Sequence, residues 1–298
     1  MKKLRILSIV LFIISAAAFG LYKNHQINSK DNQAPEITMD SDSIQVSCEA
    51  SDEELLAGIT ASDSKDGDVT ESLTIESISN FMENRTREMT VVAFDSDNHA
   101  TKAKRRITYT DYRSPVFSLT EPLRFPINTD DILGTLTCQD SLDGDLTGKI
   151  KMSSEYYVQT DAPGEYPMVY QAANSAGDVQ RLPVTVEIYD PAQENQKPQF
   201  QLSQYLVYTS VGTPVNPWDY VQQITMGGIE FQRGEDGVLR DPNPRENQER
   251  TAITQEEVSI TNEADYNTAG VYEVLYQIAY DNGRDNVTGT MRLIVVVR

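Results

Sequence analysis

Two acidic octapeptides carry the residues that most invite a chemical reading, DSKDGDVT at 63–70 and DSLDGDLT at 140–147. Each sets carboxylates around a glycine bend: Asp63, Asp66 and Asp68 in the first, Asp140, Asp143 and Asp145 in the second. Clustered hard oxygens suit calcium, which takes about six to eight of them from carboxylates, carbonyls and water. Asp95 and Asn174, each in a later turn, add one ligand apiece if the fold brings them close. The spacing is not that of an EF-hand loop, and no glutamate closes it. The same letters also spell a hydrogen-bonded turn. Asp-Gly bends the chain, the first Asp caps backbone N–H groups, Val69 or Leu146 enters the core, and Thr70 or Thr147 opens the next strand. Calcium ligation and a structural turn are the two expectations, and no other cofactor is expected.

Catalysis needs a base poised against a nucleophile or a metal. The histidines are His25 and His99, and neither lies in a nucleophile motif or at zinc-binding spacing. A glycosidase-like pair drawn from the 45 acidic residues needs an open cleft, and therefore long loops. The chain is not expected to be an enzyme. Cys48 and Cys138 fall at non-corresponding places, so each is expected as a buried free thiol. Asn84 and Asn286 head N-x-T sequons, which accept glycans only in a eukaryotic secretory route.

The octapeptides belong to a larger repeat. APEITM at 34–39, SPVFSL at 114–119 and KPQFQL at 197–202 share a proline followed by strict apolar alternation, the pattern of a strand entering a sheet. Their prolines, Pro35, Pro115 and Pro198, stand 80 and 83 residues apart. The repeats also end alike. GEYPMVY from Gly164 and GVYEVLY from Gly270 each lead through a turn rich in Asn, Gly and Asp into an alternating strand, which reads as a hairpin with one buried face. Tyr166 and Tyr272 are expected to pack over the core edge with their hydroxyls bonded to backbone. The first copy has Arg87 there, whose stem covers similar area.

Short alternating runs, frequent turn signals and no long helical periodicity predict an all-β chain of three tandem immunoglobulin-like sandwiches. The boundaries read as 34–112, 113–190 and 197–298, after an N-terminal segment over 1–33. SDEELLAGI at 51–59 and NPWDYV at 216–221 predict short helical turns, the second with Trp218 plugging the core. TDYRSP leaves little slack between the first two repeats, whereas the polar YDPAQENQKP at 189–198 predicts a looser joint to the third. The third repeat lacks the acidic octapeptide and carries about two dozen extra residues near 225–250. Within them IEFQRGEDGVLR reads as a hairpin. Insertions on a repetitive scaffold are where binding surfaces are built. Phe231, Arg233 and Arg240 are the candidate partner-binding residues, because aromatic and Arg side chains dominate hot spots. An aromatic platform of Phe231 and Trp218 would favour a glycan, and a flat apolar patch a protein.

Taken together, these motifs resemble the bacterial immunoglobulin-like repeats of Gram-positive surface proteins, and also the repeats of pesticidal crystal proteins and hyalin-type repeats. The resemblance covers about 34–298 and is best in the second repeat. It implies a β-sandwich stalk or adhesion module outside the cell, without enzyme activity and with a surface protein or glycan as partner.

Charge and the N-terminus bear on partners and location. Residues 1–33 carry a net +4, and the remainder holds 20 basic and 44 acidic side chains, a net −24. That body repels phosphate backbones and anionic lipid, so no nucleic acid partner is expected. The uncharged run from Ile6 to Tyr22, 17 residues behind Lys2, Lys3 and Arg5, predicts a signal anchor with everything after Lys23 outside. Cleavage after Ala18 would release a secreted form instead. In either case membrane contact is confined to this segment.

Overall fold

The computed structural model describes residues 2–28 and 32–298. After the α-helix Lys2–Asn28 the chain is β-rich, and it divides into two compact units, Met1–Tyr112 and Arg113–Arg298.

The first unit holds the first repeat. Strand Glu36–Met39 pairs antiparallel with Ile59–Asp63, which pairs onward with Gly67–Asp68. The second sheet runs Ser43–Val46, Ala100–Tyr109, Thr86–Phe94, Thr74–Ile78, its first pair parallel. The chain thus crosses from one sheet to the other between Met39 and Ser43. Period-two alternation does the sorting. Ile59, Ala61 and Asp63 are buried, while Thr60 and Ser62 are exposed. Inward residues of both sheets, among them Ile59, Ala61, Met89, Val91 and Ile107, form one core. Burying each large member contributes about 1.5–3 kcal/mol. The predicted turn at 51–59 is the helix Asp52–Leu56, started by a capping box in which Ser51 and Glu54 satisfy each other's amides.

The second unit repeats this plan twice. Val116–Leu119 pairs antiparallel with Leu136–Asp140, and Arg124–Pro126 runs parallel to Val179–Tyr189. Likewise Gln199–Leu202 pairs antiparallel with Val221–Met226, and Leu206–Thr209 runs parallel to Asn286–Val297. Each repeat closes with a long hairpin, Gly164–Ala173 with Val179–Tyr189 and Gly270–Asp281 with Asn286–Val297. In the Gly-x-Tyr motif the tyrosine lies back over its glycine. A Cβ on Gly164 would stand 2.9 Å from the Tyr166 hydroxyl, and one on Gly270 3.1 Å from the Tyr272 ring. The hydroxyls donate to Ala162 O and Thr268 O, as expected. Arg87 occupies the same place in the first repeat and donates to Ser79 O and Ile78 O. Both cysteines are free thiols, but only Cys138 is buried as expected, and burial pushes it up to about 11, whereas Cys48 is half-buried.

Two expectations are corrected. Among the described residues no helix is long and apolar enough to cross a membrane. The single-pass anchor at Ile6–Tyr22 is therefore not supported: 17 residues rise only about 25 Å, short of a hydrocarbon core of about 30 Å. Nor is the segment at 189–198 a slack joint. Asp190 caps a short helix, Pro191–Glu194, by accepting from the Ala192 amide. Glu194, 7% exposed, then receives Arg124 at 2.7 Å and Lys197 at 2.7 Å, and Arg124 also forks onto Glu187. Tyr208 of the third repeat accepts from Phe117 N and donates to Phe117 O of the second, at 2.9 and 3.1 Å. These bonds draw both repeats into one compact unit.

Candidate functional site

The acidic octapeptides fold as the same hydrogen-bonded turn twice. Asp63 Oδ1 accepts from the Lys65 and Asp66 amides at 2.8 and 2.9 Å, and Asp140 Oδ1 from Leu142 and Asp143 at 2.9 and 2.8 Å. Asp66 takes both the amide and the hydroxyl of Ser96, and Asp143 those of Ser175, which ties each turn to the tip of its closing hairpin. Asp68 accepts from Thr70 N and Asp145 from Thr147 N. The threonine hydroxyl and amide hold Asp68 and Asp145 below the ordinary carboxylate range. Burial pushes Asp143 up, but Ser175 and Lys149 outweigh it and leave it lowered. The carboxylates thus face N–H and O–H donors rather than a common point. Among the described residues no group of three or more His, Cys, Asp or Glu is arranged to hold a metal ion.

The two turns differ in how the buried second oxygen of the leading Asp is met. Asn174 Oδ1 accepts from Ala176 N and Asp178 N, which frees its Nδ2 to donate to the buried Asp140 Oδ2 at 3.1 Å. Asp95 makes the equivalent turn, accepting from Asp97 N and His99 N, but brings a second oxygen where Asn174 has an amide. That oxygen, Oδ2, lies 2.6 Å from His99 Nδ1. Asp63 Oδ2 is buried and has no hydrogen-bond partner among the described residues. The His25 side chain lies outside the described residues.

The third repeat resolves its missing octapeptide differently. Gly227 and Gly228, at φ 60° and 78°, turn Val221–Met226 straight into Ile229–Arg233 with Met226 paired to Ile229. Two successive positive φ values are what a two-residue hairpin of type I′ needs. Tyr280, at the place of Asp95 and Asn174, sets its hydroxyl where a Gly227 Cβ would stand, 2.3 Å away. This pairing escaped the sequence reading, although Gly-Gly between alternating apolar residues is its signal. The hairpin then adds Ile229–Arg233, Leu239–Arg240 and Ala252–Ile253 to a five-stranded sheet.

This insertion is part of the core as much as of the surface. Phe231 is 1% exposed and Leu239 fully buried, so Phe231 presents no surface to a partner. Trp218, 5% exposed, donates its indole N–H to Gly237 O at 3.0 Å. Arg233 lies over the Trp218 ring with its guanidinium carbon 5.6 Å from the centroid, and donates to Trp218 O and Val221 O. Arg240 is exposed and forks onto Asp236, which it holds down at about 2. Around them opens a groove of about 780 Å³, with Asp219, Asp236, Thr254 and Glu256 on its walls. Phe231 does not line it, and Trp218, which does, is only 5% exposed and is covered by Arg233, so it offers no open ring platform for a sugar.

No protein-family model matches the chain, and no curated protein matches it. Among solved structures it is similar to the Clostridium perfringens ZmpB catalytic domain with its CBM51 domains, at 12% identity and a TM-score of 0.22, covering 88% of this chain and 30% of that one. The extracellular domain of protocadherin GammaB4 gives 14% identity and a TM-score of 0.18 over 90% of this chain and 50% of that one. A lipoprotein from Bacteroides thetaiotaomicron gives 11% and 0.22 over 60% and 98%. The chain thus spans half or less of the first two structures' own length. Scores this low carry no argument, and the all-β architecture rests on the sheets of this chain itself.

Proposed function

We propose that the protein is a non-catalytic binding module of tandem immunoglobulin-like domains, 34–112, 113–190 and 197–298, that meets a protein partner through the groove of the third. One observation carries this reading: the groove opens where the third repeat departs from the common plan, beside strands the other repeats lack. Its walls are preformed, because Arg233 and Trp218 are each bonded to backbone carbonyls, so little ordering cost falls on binding. The exposed carboxylates of Asp219 and Glu256 set its outer polarity. With the rings of Trp218 and Phe231 buried, a protein surface fits it better than a glycan.

Deleting the insertion would gut the core, so the test uses surface changes. The full chain and its Asp219→Lys/Glu256→Lys variant are compared as bait in an extract, with circular dichroism confirming the fold. Reversing two rim charges is expected to cut recovery of at least one partner by roughly tenfold. Equal recovery of every partner overturns the reading.

A further inference from the structure

A second groove, independent of the one just described, lies within the second unit where the closing hairpins of the second and third repeats meet. It measures about 410 Å³. Its floor is the outward face of the second repeat's hairpin, where Pro167 pairs with Thr185 and Val169 with Pro183. Tyr156, Tyr272 and Glu263 line its walls. The groove is fixed across the joint. Glu273 accepts the Thr185 amide and hydroxyl, both at 2.7 Å, and Arg292 reaches Glu165 at 2.7 Å.

Three features select an occupant. The first is aromatic exposure: Tyr156 is 38% exposed, and Tyr157, next in the chain, is 80% exposed. Two adjacent exposed rings offer a partner both apolar area and a cation-attracting face. The second is charge. The titratable lining residues are the tyrosines and the carboxylates Glu263 and Glu273, with no lysine or arginine among them. Glu273 is spent on Thr185 and on Arg292, 3.7 Å away, whereas Glu263 is exposed and among the described residues its side chain makes no hydrogen bond or ion pair. The third concerns the backbone. Pro167 and Pro183 sit where their strands have no second neighbour, since Lys151–Met152 reaches only Tyr170 and Gln171, and Arg124–Pro126 only residues 187–189. Lacking N–H groups, they close those edges to an added strand and leave recognition to side chains.

We propose that this groove docks a cationic segment of a partner protein, its Lys or Arg side chain received by the rings of Tyr156 and Tyr272 with Glu263 as counter-ion. Ring faces attract cations, most strongly when water is excluded, and the net −20 of the whole chain draws such a segment in.

The test is calorimetric titration of the full chain at physiological salt with a flexible Gly-Ser peptide carrying several lysines, and with the same peptide after lysine acetylation. Tyr156→Leu/Tyr157→Leu leaves the charge unchanged and is expected to weaken lysine-peptide binding roughly fivefold. Glu263→Gln is expected to weaken it roughly threefold, and the equally conservative Glu71→Gln, on the first unit, by less than about 1.5-fold. Acetylation is expected to abolish binding. The proposal is overturned if the lysine peptide does not bind, if the acetylated peptide binds as well, or if the tyrosine variant binds like wild type. It is also overturned if Glu71→Gln and Glu263→Gln act alike, since net charge alone would then account for the affinity. Unchanged melting temperatures of these surface variants separate lost contact from lost fold, and none of them touches the groove of the third repeat.

Discussion

One buried oxygen is met by a donor in the second acidic turn and not in the first. Asp140 Oδ2 has the Asn174 amide as donor, and Asp63 Oδ2 has none because Asp95 offers an oxygen instead. A buried acceptor without a donor costs about 1–3 kcal/mol. Asp95→Asn recreates the arrangement of the second repeat, with Nδ2 donating to Asp63 Oδ2 and Oδ1 keeping the Asp97 and His99 amides. It is expected to stabilise the first repeat by about 1 kcal/mol, read as a rise in melting temperature. A fall would show that the His99 contact at 2.6 Å outweighs the missing donor. The reciprocal change, Asn174→Asp, should destabilise the second repeat by a similar amount.

Among the elements, the short helix Pro191–Glu194 matters most for its size. It delivers Glu194 into the Arg124–Glu187 pair, whose Arg124 side chain is 12% exposed and lies over the Tyr189 ring. Burial pushes Glu194 up, but hydrogen bonds from Lys197 and Arg124 outweigh it and hold the carboxyl below its ordinary 4.5. A carboxyl lowered by folding contributes stability in full above its unfolded value and loses it as pH falls through its folded one. Acid unfolding of the second unit is therefore expected to steepen below about pH 4.5, and Glu194→Gln to flatten that slope while costing about 2 kcal/mol at neutral pH, the worth of hydrogen bonds to a charged group, since Arg124 keeps Glu187. The check is a pH series of denaturant melts. Parallel pH profiles for wild type and variant would remove Glu194 from the account.

For the molecule as a whole, the division at Tyr112/Arg113 sets what unfolds together. Calorimetry is expected to show two transitions. Asp95→Asn should move one and Glu194→Gln the other. Displacement of both by either substitution, or a single transition, would count against two independently cooperative units.

The sequence by itself determined the repeats and most of their elements. Proline-led strands, alternating runs, the Gly-x-Tyr hairpins and the inserted hairpin are local patterns, and local patterns are set by backbone sterics and by which face must be buried. Its reading of the acidic octapeptides as turns needed only Asp-Gly and a capping carboxylate. What it left open were facts about partners distant in the chain. That Asp66 and Asp143 spend their oxygens on Ser96 and Ser175, some 30 residues on, depends on how the hairpin tip returns to the turn. That Phe231 and Trp218 are walls of a core rather than a platform depends on which face of the added strands meets the sheet. A polar linker composition predicts slack only when its charges stay in water. Here Glu194 found Arg124, 70 residues earlier, and that pairing, which no local pattern records, holds the linker against the second repeat.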